Sequence, residues 1–169
     1  MSFSHPARRH TAKHALSGNP KAANTRSRAK GLGTRPQDLG MFCEMGPLEQ
    51  REQIREGMAA MIVSRIAAEL LHVPVHTLLR GIGLSSSTVL RKISKAGRLS
   101  SAESDRIARV LYTFDRALDV FADKAVAAEW ILRPNAELAG VRPLEVLDTQ
   151  PGYDRVRDLL MRITFGLPV

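Results

Sequence analysis

The sequence predicts an all-α fold, and three observations carry that reading. Hydrophobic residues make up 44% of the 169 but aromatics only 5%. A core of Leu, Ile, Val and Ala suits packed helices better than a sheet. Apolar residues recur three and four apart along most of the chain, the period of a helix face. Gly, Pro and capping residues fall between those runs, where helices must stop.

Taken in order, residues 1–46 show no sustained apolar period and are rich in Ala, Ser, Gly, Asn, Arg and Lys. Such a segment buries too little to offset its ordering entropy, so it reads as a disordered basic tail. Met41 and Met45 stand as alternative starts. Pro47 opens the first helix, 47–56, with Leu48 and Ile54 as its apolar contacts. A second helix is expected from about Met58 to Leu71, with Met58, Ile62, Ile66 and Leu70 four apart and Met61 and Val63 widening the face. Val73-Pro74 ends it.

A short helix follows, Val75 to Arg80, then a tight turn over Gly81-Ile82-Gly83-Leu84. Ser85 is placed to cap a helix of about Ser86 to Ala96, with Val89, Leu90 and Ile93 inward and Gly97 as its stop. Ser100 and Glu103 form a capping-box pattern. The longest helix comes next, its stripe made by Ile107, Val110, Leu111, Phe114, Leu118 and Phe121. Asp123 caps a helix holding Val126 and Trp130, and Pro134 closes it. Residues 134–142 read as a loop and Pro143 as the start of a short turn burying Leu144 and Leu147. The last helix, about Tyr153 to Phe165, follows Gly152.

Net charge is +8 and uneven. Residues 1–46 carry +6, 47–102 carry +4 and 103–169 carry −2. A basic front half is suited to an anionic polymer, although most such tails merely solvate. One cysteine, Cys43, excludes an internal disulfide and fits a reducing compartment. No apolar run is long enough to span a membrane, so a cytoplasmic protein without membrane partners is expected.

The segment Val75 to Ala96, two short helices around a Gly-containing turn, has the form of a helix-turn-helix. Its second helix would present Ser86, Ser87, Thr88, Arg91, Lys92 and Lys95 to DNA. Residues 85–98 hold four basic side chains and no acid; Arg or Lys can read guanine, and amides at the helix start can hold phosphate. The alternative is a plain helical hairpin with a basic outer side.

Catalytic groupings do not emerge. Cys43 has no fixed neighbour in a tail, and His72 and His76 are separated by a helix-breaking Pro74. His5, His10 and His14 sit in a segment without preorganised geometry. Asp115, Asp119 and Asp123 line a solvated face, Gly31 and Gly33 follow no strand, and Trp130 reads as core. Neither a catalytic residue, a metal nor a cofactor is expected, and the chain reads as a non-enzyme.

From Ser100 onward the chain resembles the Xre/MbcA/ParS antitoxins of bacterial type II toxin–antitoxin systems. The resemblance rests on an ordered set: Leu99-Ser100-Ser101-Ala102-Glu103-Ser104-Asp105-Arg106, Ala127-Ala128-Glu129-Trp130, Arg133-Pro134-Asn135, Leu138, Gly140, Pro143-Leu144-Glu145-Val146-Leu147, Thr149, Gly152, Arg162-Ile163 and Gly166-Leu167-Pro168-Val169. Upstream, Arg55-Glu56-Gly57 and Ser87-Thr88-Val89-Leu90-Arg91-Lys92 resemble the family's divergent helix-turn-helix. Coverage is about 47–169; Ile131-Leu132, and Lys92 where a second Arg is frequent, are mild departures.

The resemblance implies a dimeric antitoxin that binds a RES-domain toxin, which degrades NAD or transfers ADP-ribose, and represses its own operon at operator DNA. It implies domains of 47–98 for the helix-turn-helix and 99–169 for toxin binding. It places the chain end at the toxin's active-site mouth. The residues agree: Gly166 frees the chain from the last helix and Pro168 prevents its continuation. Leu167 and Val169 are then apolar groups beside a free carboxylate, and Arg162 lies one turn earlier to meet an acidic group. A stand-alone transcription regulator without a toxin is the other reading.

Overall fold

The computed structural model of the chain describes residues 39–167. The helices are α1 Leu39–Glu44, α2 Pro47–Glu56, α3 Met61–Arg65, α4 Val75–Gly81, α5 Ser86–Ser94, α6 Ser101–Phe121, α7 Lys124–Leu132, α8 Pro143–Val146 and α9 Gln150–Thr164. A π-helical turn, Ile66–Leu70, continues α3, and a 3₁₀ turn, Ala136–Leu138, precedes α8. The all-α reading holds among the described residues.

α6 is the axis of the fold. Its capping box forms as the sequence predicts: the Ser100 hydroxyl accepts from the Glu103 amide, and the Glu103 carboxylate accepts from the Ser100 amide. Ile107, Val110, Leu111 and Phe114 are buried along it, each such side chain contributing about 1.5–3 kcal/mol. α1, α2, α7 and α9 all pack on it. Ala122, in the left-handed region at φ 54°, ends it, and the Asp123 carboxylate accepts the Ala125 and Val126 amides to start α7.

The expected tail is corrected at its end. Residues 1–38 lie outside the described residues, but Leu39–Glu44 is a helix with Leu39 and Phe42 buried. The Phe42 ring lies 5.6 Å from that of Tyr112 on α6. Gln50 ties the corner, donating to the Phe42 carbonyl at 2.9 Å and accepting from the Tyr112 hydroxyl at 2.9 Å. Cys43 therefore does have fixed surroundings: it is half-buried, and burial, then Asp115 and Glu44, push its thiol up to about 11. The buried Leu39 and Phe42 and the bonds from Gln50 to the Phe42 and Cys43 carbonyls, too short a pattern to show as a period, hold this segment.

Other expectations shift for local reasons. The second helix starts at Met61 rather than Met58, because Gly57 breaks the chain at φ 86° and Ala59 pairs with Arg98 in an antiparallel bridge before the chain turns at Ala60. There Ala60 donates to Gly97 and Leu99 donates to Met58, while the Met58 amide donates to the buried Ser104 hydroxyl at 2.8 Å. A Cβ on Gly57 would stand 2.1 Å from the Leu99 oxygen. Met61 and Leu48 point outward, Leu48 81% exposed. The stop after α5 is made by Ala96 at φ 47°, with Gly97 one residue later donating to Lys92. Gly152 lies inside α9, which Thr149 caps. A Cβ there would meet the Val146 carbonyl at 1.8 Å, so glycine serves close approach rather than termination.

Candidate functional site

α4 and α5 are joined by a turn in which Gly83 takes φ 64°, and the turn is held from outside. Arg106 of α6 donates to the Ile82 carbonyl at 3.3 Å and the Gly83 carbonyl at 2.7 Å. Gly81 meets α8 so closely that a Cβ would stand 2.7 Å from Leu144. Val89 anchors α5 inward, fully buried, and Ile93 packs half-buried against the same core.

The six residues expected to face DNA do not share one environment. Ser87, Arg91 and Lys95 are exposed, while Ser86 and Thr88 are half-buried. Lys92 is turned back onto α6, where its ammonium pairs with Glu103. Burial works against ionisation of Glu103, but the hydrogen bonds from Lys92 and Ser100 outweigh it and hold the carboxyl below its ordinary range. Lys92 thus fastens α5 to the α6 cap. Two further expectations change. Ser85 occupies the N-cap position, but its hydroxyl makes no cap bond and lies 3.2 Å from the Ser87 hydroxyl. Leu90, expected inward, is 45% exposed.

The second cluster lies at the end of α9. Val156, Leu159 and Leu160 hold the helix to the core. Past them the chain closes in a helical stop, Gly166 at φ 60° donating to Ile163 and Leu167 donating to Arg162. Arg162 is half-buried and Leu167 is exposed; Pro168 and Val169 lie outside the described residues. Met161 and Phe165 are exposed as well, Phe165 by 71%. Phe165 was missed as a surface residue because it reads as the last turn of a helix; its spacing of four from Met161 is the signal that marks a shared side. A shallow groove of about 470 Å³, lined by Val126, Trp130 and Pro134 among others, opens beside α7.

Two family matches coincide with these clusters. Residues 49–112 match the antitoxin Xre-like helix-turn-helix domain, and residues 116–166 match the antitoxin Xre/MbcA/ParS C-terminal toxin-binding domain. The chain belongs to the Xre/MbcA/ParS antitoxin family. Similar proteins include an Antitoxin Xre of Photorhabdus laumondii, 38% identical over 53% of this chain, and one of Yersinia enterocolitica, 34% identical over 56%. The matched stretch spans 62% and 65% of those two relatives. A protein of Sphingobium sp. named Prs ADP-ribosylating antitoxin is 26% identical over 82% of this chain and 92% of its own length. The join between the matched ranges falls within α6, the helix that both clusters lean on.

No single helix among the described residues is long and apolar enough to cross a membrane.

Proposed function

We propose that the protein is a bacterial, cytoplasmic, non-enzymatic antitoxin that neutralises a cognate RES-domain toxin and, as a homodimer or toxin complex, represses its own operon at operator DNA. The observation that carries the neutralising role is the end of α9. Met161 and Phe165 are exposed apolar side chains on the domain matched as toxin-binding, and the exposed Leu167 follows directly after it. Three such groups past the last buried turn of α9 are uncompensated in water, and they suit a partner's cleft. The toxin-binding set is Arg162, Gly166, Leu167, Pro168 and Val169, to which Phe165 is added. Arg162 serves there by charge complementarity.

The operator role is supported by α5, whose exposed Ser87, Arg91 and Lys95 stand in a segment without acids. Lys92 moves from reader to brace in this reading. The functional halves in this reading are 47–98 and 99–169, with the matched helix-turn-helix range running on into α6 as far as residue 112. The toxin's chemistry follows one of two courses, NAD degradation or ADP-ribose transfer; the name of the Sphingobium relative favours the second.

The test is tagged co-expression with the product of an adjacent RES-type gene. Co-purification together with restored growth and cellular NAD or target modification is expected. A neighbourhood without such a gene, and a chain that shifts its promoter alone, would favour the stand-alone regulator.

A further inference from the structure

Leu90 has no place in the core. α5 carries Ser87, Leu90, Arg91 and Ser94 at spacings of three and four, all of them exposed. These four make one outward stripe, since such spacings stack on one side of a helix. Val89 and Ile93 take the inward side, and Lys92 is spent on Glu103. The stripe therefore holds two hydroxyls, one guanidinium and, at its centre, one branched apolar side chain.

On the major-groove edges of the bases the one apolar group is the C5-methyl of thymine. We propose that Leu90 is a specificity-determining residue that packs on a thymine methyl in the operator. This rests on the reading of α5 as the groove helix. Leu90 and Arg91 are adjacent, and a helix rises 1.5 Å per residue. The thymine therefore lies within a base step or two of the guanine or phosphate that Arg91 meets. The turn held by Arg106 and the clasp of Lys92 to Glu103 fix the pitch of the helix, so Leu90 arrives at one depth.

The experiment uses the full chain and its own promoter fragment, prepared once with thymine and once with deoxyuridine throughout, which removes every methyl. Parent, Leu90→Ala and Arg91→Ala are compared by fluorescence anisotropy. The parent is expected to bind the deoxyuridine fragment about fourfold more weakly per methyl buried. Leu90→Ala should lose a similar factor on the thymine fragment and be nearly indifferent to the exchange. If Arg91→Ala loses affinity while Leu90→Ala keeps the parent's full sensitivity to deoxyuridine, the Leu90 assignment is overturned and the groove helix stands. If Arg91→Ala binds both fragments as the parent does, α5 is not the reader and both readings fall.

Discussion

The outer side of α5 and the end of α9 are built on opposite plans. α5 shows hydroxyls, a guanidinium and one leucine, and is braced by its neighbours through Lys92 to Glu103 and through Arg106 to the turn carbonyls. The α9 end shows Met161, Phe165 and Leu167 beyond the last buried turn and closes in the helix's own stop. A polar reader must place donors to within a fraction of an ångström, so its scaffold supplies rigid support. An apolar end can settle into a cleft with little directional demand, because burial is not directional.

The largest effect expected from breaking this contrast is on the bracing side. Arg106→Ala removes two hydrogen bonds from a charged donor, each contributing about 1.5–3 kcal/mol, and leaves the Ile82 and Gly83 carbonyls without that partner. Promoter affinity should fall at least tenfold with a lower thermal midpoint, while toxin protection persists. Equal loss of both activities would show that the two ends are not separable.

Next in size is a pair of neighbours. Arg91→Ala should weaken promoter binding by about 1–3 kcal/mol if it reads a base and leave stability within about 0.5 kcal/mol. Lys92→Ala should lower the melting temperature and weaken DNA binding only as a consequence. The reverse pattern would return Lys92 to the groove.

How much of this was legible depends on range. The capping box and the α6 stripe were readable because their partners lie within a few residues or share one period, and Leu144 and Leu147 because they are apolar residues three apart just after Pro143. The pairing of Lys92 was not legible because its partner is on another helix, and Glu103 advertises only its role in the cap. Leu90 was misread because Val89 and Leu90 are adjacent, and a helix of nine residues is too short for periodicity to choose between them. α1 was missed because its one aromatic anchor, Phe42, finds Tyr112 far along the chain. The exposed Phe165 was hidden by its place in a helical run.

A smaller effect tests α1. With its thiol pushed up to about 11, Cys43 should label slowly at about pH 8 in the folded chain. Phe42→Ala should free α1 and raise the labelling rate toward that of unfolded protein. Fast labelling of the parent would return α1 to the tail.

The smallest effect is a pH dependence. Glu103 lies below its ordinary 4.5 in the folded chain, so its contribution to stability is complete above that value. It is lost as pH falls through the lower, folded value. Glu103→Gln should therefore flatten the fall in melting temperature as pH drops below 4.5. An unchanged slope would mean that the clasp to Lys92 adds nothing.

The most direct test of the contrast is one truncated chain read twice. Ending the protein after Phe165 removes Gly166, Leu167, Pro168 and Val169 and leaves every buried residue of α9 in place. Its affinity for the promoter fragment and its protection of cells co-expressing the toxin are measured side by side. Promoter binding equal to the parent's together with poor protection is the predicted result. Full protection would show that Gly166, Leu167, Pro168 and Val169 are not the inhibitory surface and move it back onto Met161 and Phe165 or the helices of residues 101–133, and loss of promoter binding would contradict the separation of the two ends.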